Sequence, residues 1–178
     1  HKPYYIKTDS LGNFEWETLV FKDLPQTDRG EARTSCQDPN GSYYYSAIRH
    51  DNYSNGTKSP GLVKLDLDGN IISAVDIVDE YPAGGLDWVH FLNDSTIAAC
   101  GGWGNGNVDN RYALLLDTLG NIINSTVVID NNYHIDQQIT FDKKLVYLYK
   151  TEENQQFDPY LLKLNQNLED DTLYTYPY

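Results

Sequence analysis

Carboxylates are the most plentiful reactive groups in this chain: 26 Asp and Glu stand against 13 Lys and Arg, for a formal charge of −13. The densest grouping is Asp66-Leu67-Asp68-Gly69-Asn70, whose spacing invites a calcium loop. An EF-hand loop, however, needs twelve residues closed by a bidentate glutamate, and Asn70 is followed by Ile-Ile-Ser-Ala-Val. The stretch reads as a hairpin turn. The four histidines, His1, His50, His90 and His134, are scattered without a second ligand at metal spacing. Neither a serine nucleophile elbow nor a phosphate loop occurs. A carboxylate pair for glycoside hydrolysis is defined by its separation in space. The expectation is therefore no metal, no cofactor and no catalytic residue, with a glycan-processing or other catalytic activity as the alternative.

What the aspartates do instead is recur. Asp66 and Gly69 sit between Leu62-Val63-Lys64-Leu65 and Ile71-Ile72. Asp9 and Gly12 repeat the arrangement between Tyr5-Ile6-Lys7-Thr8 and Phe14, as do Asp117 and Gly120 between Leu114-Leu115-Leu116 and Ile122-Ile123. Leu161-Leu162-Lys163-Leu164-Asn165-Gln166-Asn167-Leu168 is a fourth copy that has lost the glycine. Steps of 57, 51 and 48 residues separate positions 9, 66, 117 and 165. A period near 50 belongs to propellers and solenoids. Each copy is a β-hairpin signal: the aspartate bonds the backbone ahead of it, and the glycine takes the positive-φ position.

Length and composition limit the partners. A chain of 178 residues builds one sizeable core or a few stacked repeats. With no basic patch against the −13 charge, nucleic acid and anionic membranes are disfavoured. No apolar run approaches a membrane span and no signal peptide is seen; the chain opens on a strand, as a processed piece would. Fifteen tyrosines and no methionine suit an extracellular β protein. Cys36 and Cys100 form no CxxC pair or metal spacing; two separate thiols are expected over a disulfide between neighbouring repeats.

Taken in order, the chain reads as a hairpin, then three rounds of four strands, with no helix-period segment. Four-stranded antiparallel meanders at this period are the blades of a β-propeller, a β-sandwich being the runner-up. The predicted fold is all-β: a half-blade at 3–21 and blades at 31–78, 86–129 and 134–176, about 3.5 blades of a larger propeller. With strands named a to d, the half-blade is a c–d pair. Its missing a–b strands are expected from an upstream segment of the same precursor or from another chain, and without them residues 3–21 are expected to be poorly ordered or to pair with a neighbouring molecule.

The closing Lys-Leu-Asp-x-x-Gly-Asn-Ile pattern resembles propeller repeats of secreted surface proteins from Bacteroidetes-type bacteria, as does Asp38-Pro39-Asn40-Gly41-Ser42-Tyr43-Tyr44. The resemblance covers nearly the whole chain and departs at 165–169, where the Gly-Asn turn is lost. It implies export by the type IX machinery to the cell surface or medium. It also implies a glycoprotein, with O-glycans at Asp-Ser/Thr triplets: Ser10, Ser95 and Thr118, all in predicted tight turns, and Thr172. Thr8–Trp16 looks like the Asp-box of sialidase propellers, but Asp9 lies three residues before its glycine rather than two, and an arginine cluster for a sialic carboxylate is missing.

In such blades the b–c and d–a connections share one face. Here they are the long polar stretches 22–30, 49–60, 79–85, 101–111, 130–133 and 151–159. They carry Tyr53, Tyr81, Trp103, Tyr133 and Phe157 among Asp, Asn and Gly, which suits a glycan or protein ligand. The function expected is non-catalytic binding or scaffolding, with a purely structural building block as a further alternative.

Overall fold

The structure, a computed structural model, describes residues 3–20, 29–52, 57–77, 84–104, 109–129, 133–153 and 156–175. Among them are fourteen strands and no helix: β1 (Tyr4–Thr8), β2 (Phe14–Leu19), β3 (Arg29–Gln37), β4 (Tyr43–Asn52), β5 (Thr57–Asp66), β6 (Ile71–Asp76) and β7 (Gly84–Phe91). The second half holds β8 (Thr96–Gly104), β9 (Asp109–Asp117), β10 (Ile122–Ile129), β11 (Tyr133–Ile139), β12 (Leu145–Glu153), β13 (Gln156–Leu164) and β14 (Asp170–Thr175). They form a two-stranded sheet β1-β2 and three four-stranded sheets, β3-β4-β5-β6, β7-β8-β9-β10 and β11-β12-β13-β14, each in chain order. The all-β expectation holds. The chain divides into two compact units, His1–Val89 and His90–Tyr178.

The repeated turn is built the same way each time. Asp66 N donates to Asn70 O (3.0 Å) and Gly69 N to Asp66 O (3.2 Å), while Asp66 Oδ1 accepts from the backbone N–H of Asp68 and Asn70. Asn70 Nδ2 donates to the other carboxylate oxygen at 2.8 Å. Asp9 with Asn13, and Asp117 with Asn121, repeat all five bonds. The glycines carry the left-handed backbone, at φ 85°, 82° and 91° for Gly12, Gly69 and Gly120. The turn at 165–169 is not lost, contrary to expectation. Asn165 takes the aspartate's place and Glu169 the asparagine's, so the side-chain bond survives with donor and acceptor exchanged (Asn165 Nδ2 to Glu169 Oε2, 2.9 Å). Leu168 stands in the glycine's place at φ 63°, and its buried side chain offsets the strain.

Because the turns are alike, the hairpins they close share a register. Tyr4↔Leu19 through Lys7↔Trp16, then a bulge and Thr8↔Phe14, describe β1-β2. Counted from the aspartate, this is also the register of Gly61↔Asp76 through Leu65↔Ile71 in β5-β6, and of Tyr160↔Thr175 through Leu164↔Asp170 in β13-β14. The β9-β10 pair follows it from Leu116↔Ile122 to Tyr112↔Val127. Pro3, Pro60 and Pro159 fall six residues before the turn residue in three copies. Val20 N donates to Pro3 O and Ile77 N to Pro60 O, but a proline has no N–H to return the bond, so the ladder ends there.

In the first unit the β1-β2 hairpin lies on the β3-β6 sheet. Val20, Ile48, Val63 and Leu65 form a buried cluster flanked by Tyr5, Trp16 and Tyr44. Pro3 covers Gly30, where a Cβ would come within 2.6 Å of the proline ring. The other face of that sheet meets β7: Val89 N donates to Thr34 Oγ1 at 3.1 Å, and Arg33 pairs with Asp87. Central strands are accordingly buried on consecutive residues, Tyr45–Ile48 in the first unit and Ile97–Cys100 and Tyr112–Leu116 in the second. Strands covered on one face only would alternate.

Strand d of one hairpin also caps the next turn. Trp16 Nε1 donates to Leu67 O (2.8 Å) and Thr18 Oγ1 to Gly69 O. In the second unit Asn124, at the same distance from its aspartate as Trp16, donates from Nδ2 to Asn167 O (2.7 Å). A Cβ on Gly69 would lie 2.6 Å from Trp16 Cδ2, whereas one on Gly12 would meet nothing. Gly12→Ala should therefore cost only the left-handed strain, about 1–2 kcal/mol. Gly69→Ala adds a clash with the indole and should cost roughly 1–3 kcal/mol more, read from urea unfolding of the two variants.

The turn carboxylates also couple stability to acid. Hydrogen bonds from Asn13 hold Asp9 below its ordinary 3.8, and those from Asn70 do the same for Asp66. Burial pushes Asp117 up, but the bonds from Asn121, Leu119 and Gly120 outweigh it and the net shift is down. Asp142, bonded by Thr140 and then Lys163, falls to about 2. Carboxylates depressed in the folded state stabilise it in full above 3.8 and lose that contribution as the pH falls toward 2. The urea midpoint should thus drop over this interval, and drop less in an Asp66→Asn, Asp117→Asn double variant.

Candidate functional site

The β1-β2 hairpin supplies the candidate site, because among the described residues no strand pairs with one of its edges. Antiparallel pairs alternate between bonded and non-bonded residues. With Val20 N bonded to Pro3 O, the backbone of Tyr5 and Lys7 faces β2, and that of Tyr4, Ile6 and Thr8 faces away. At the same repeat positions Gly61, Val63 and Leu65 face β4, pairing Ile48, Ser46 and Tyr44. In the other two four-stranded sheets, too, this edge is covered, by β8 on β9 and β12 on β13. Among the described residues nothing covers it on β1, yet residues 3–20 form a regular hairpin, contrary to the expectation that an uncovered half-blade is poorly ordered or paired with a neighbour. Tyr4, Ile6, Phe14 and Leu19 are exposed on the face of the hairpin turned away from the sheet.

Beside this edge a pocket of about 140 Å³ opens between the hairpin and the β3-β6 sheet. Tyr5, Trp16 and Tyr44 wall it, with Leu65 adding an aliphatic surface and the Ile6 segment completing the rim. The Trp16 and Tyr44 rings are tilted by 57° with centroids 6.1 Å apart. Lys7, also on the wall, lies 5.8 Å from the Tyr44 centroid; its bond to Glu15 holds the ammonium above its ordinary range. The polar contribution comes from Ser35 and Ser46. Ser35 Oγ donates to Ser46 Oγ, which donates to Thr34 O, both at 3.1 Å. The buried Tyr5 hydroxyl makes no hydrogen bond of ordinary geometry. Burial pushes this phenol up to about 12, with Ser46 pulling the other way. The pocket thus offers aromatic surface to an uncharged group.

The aromatic residues expected to bind ligand are placed differently. Tyr53 and Tyr81 lie outside the described residues. Trp103, Tyr133 and Phe157 are on strands rather than loops: β8, the start of β11, and β13. The long polar stretches 49–60, 101–111 and 151–159 are largely ladder, paired out to Asn52↔Thr57, Gly104↔Asp109 and Glu153↔Gln156. Polar residues form strands there because both backbones of each hairpin bond to one another. Of the proposed glycan sites, Ser10 and Ser95 are exposed in turns and Thr118 is half-buried in one, while Thr172 is on β14. Ser95 Oγ donates to Asn93 Oδ1 at 3.2 Å. Cys36 is half-buried on β3 and Cys100 buried on β8. Among the described residues no cluster of His, Cys, Asp and Glu could hold a metal.

Sequence reasoning missed Tyr5, Trp16, Ser35, Tyr44 and Ser46 as site residues. A signal existed in the repeat itself. Where the first copy has Tyr5 and Trp16, the second has Leu62 and Ser73 and the third Ala113 and Asn124. One copy therefore presents large rings at positions where the others are aliphatic, small or amide.

No protein-family model matches the chain. No curated protein matches it. Among solved structures it is similar to a protein of unknown function from Bacteroides caccae, with 8% identity, a TM-score of 0.48, and coverage of 92% of this chain and 65% of that one. The chain thus spans 65% of that protein's length, and a likeness at this level says nothing of activity.

Proposed function

We propose that this chain is a run of β-propeller blades from a secreted or cell-surface protein, and that it binds or scaffolds rather than catalyses. Its half-blade, β1-β2, takes up a pair of strands from an upstream segment of the same precursor or from another chain. The observation that carries this reading is the shared register: β1-β2 matches β5-β6 and β13-β14 pair for pair, bulge included, yet lacks the strand that covers β5 and β13. Blades are favoured over a sandwich by the consecutive burial in β4, β8 and β9. A sandwich covers one face of each sheet, whereas stacked blades cover both. Partners that add a strand to an open edge gain affinity from backbone bonds and specificity from alternate side chains.

A concrete test uses a fluorescein-labelled peptide of residues 29–52, the a–b hairpin of this chain's own first sheet. It should bind the intact protein, with anisotropy rising on titration. Ile6→Pro removes an N–H that faces the open edge and leaves the bonds of Tyr5 and Lys7 to β2 in place. This variant should weaken peptide binding by about tenfold or more while keeping the thermal midpoint within a few degrees. Equal binding to both proteins would contradict the proposal. For the surface location, peptide mass mapping of protein from its native source should give peptides containing Ser10, Ser95 or Thr118 that are heavier than their polypeptide mass. A mass equal to the polypeptide removes the glycan part of the reading.

A further inference from the structure

The pocket at the open edge lies where side chains of an added strand would be directed, and its lining says which ones fit. Directly opposite residues of an antiparallel pair share a face. A strand paired with β1 therefore points the residues opposite Tyr5 and Lys7 to the side those two occupy, the side of the pocket. The chain's own sheets show what stands at these positions. Opposite Leu62 and Lys64 are Ala47 and Tyr45; opposite Ala113 and Leu115 are Cys100 and Ala98; opposite Leu161 and Lys163 are Leu148 and Val146. All six are uncharged.

We infer that the pocket is a socket for one uncharged aromatic side chain, carried by the incoming strand opposite Lys7; this rests on the strand-acceptor reading above. Three observations converge on it. Lys7 corresponds to Lys64, whose ammonium lies 3.9 Å from the ring of Tyr43 and 5.3 Å from that of Tyr45, the residue opposite it. A ring opposite Lys7 recreates that cation–π pair. The space is also the right size: about 140 Å³ is close to the roughly 150 Å³ cavity that holds a benzene ring. Finally, the walls are the rings of Tyr5, Trp16 and Tyr44, and the cation that lines them, Lys7, is already paired with Glu15. A carboxylate entering the pocket would be desolvated without a free counter-charge.

The peptide of residues 29–52 tests this with the intact protein, because its Tyr45 falls opposite Lys7 when it pairs in the register of β4 on β5. Tyr45→Phe should bind within a fewfold of the parent peptide, Tyr45→Ala about tenfold more weakly, and Tyr45→Asp weaker still. Tyr44→Ala alters the neighbouring residue, which points to the opposite face, and should change affinity little. Ser35→Leu in the protein plugs the socket and should flatten the Tyr45 series. Binding that persists with no dependence on residue 45 would overturn the socket while the open-edge reading stands. Absence of binding by every peptide would overturn both.

Discussion

Three of the four repeated hairpins depend on one carboxylate accepting hydrogen bonds from the chain that follows it, and the fourth on an asparagine oxygen in its place. In the first three copies both oxygens are engaged: Oδ1 by two backbone amides and Oδ2 by the asparagine side chain four residues on. Those bonds fix five residues in one shape, and the glycine supplies the single left-handed step the shape requires. Once the turn is set, every pair along the following ladder is set too, since a one-residue slip would move all inward side chains to the outer face. The exchange at Asn165 and Glu169 shows which part is indispensable. The charge moves from one residue to the other, but one side chain still donates to the other across the turn.

Register in turn decides where the large side chains meet. Trp16 reaches Leu67 O only because β2 pairs β1 in the same phase as β6 pairs β5. The indole then covers Gly69, so the first hairpin and the turn of the first full sheet hold each other in place. This contact lies within one compact unit. In the second unit Asn124 and Asn167 make the equivalent contact with amide groups instead of a ring. A turn motif, repeated, thus serves both as the end of one hairpin and as the docking point for its neighbour.

Much of the fold was legible because its signals are local. Asp9, Asp66 and Asp117 with their glycines announced the turns, and the strands on either side followed from apolar runs. The lengths of the b–c hairpins were not legible. Residues such as Asn52, Thr57, Lys58 and Ser59 have the composition of a loop, and only pairing with each other makes them strand. The turn at 165–169 was misjudged for a related reason, since Leu168 at a positive φ breaks the glycine rule and is held there by burial. The pocket was invisible in the sequence because it joins Tyr5 and Trp16 to Ser35, Tyr44, Ser46 and Leu65 from three other strands. No spacing encodes that meeting; the shared register does.

The central claim is that β1 is bonded to β2 on one edge and, among the described residues, open on the other. Residue-resolved hydrogen exchange of the free protein addresses it most directly. The amides of Tyr5 and Lys7, bonded to β2, should exchange slowly, while those of Tyr4, Ile6 and Thr8 exchange near the rate of an unstructured chain. At the matching positions of β5, Gly61, Val63 and Leu65 should be as protected as Leu62 and Lys64, because β4 covers them. Uniform protection from Tyr4 to Thr8 would mean that the edge is already covered. Uniformly fast exchange would mean that the hairpin is not docked. Either result would contradict the account.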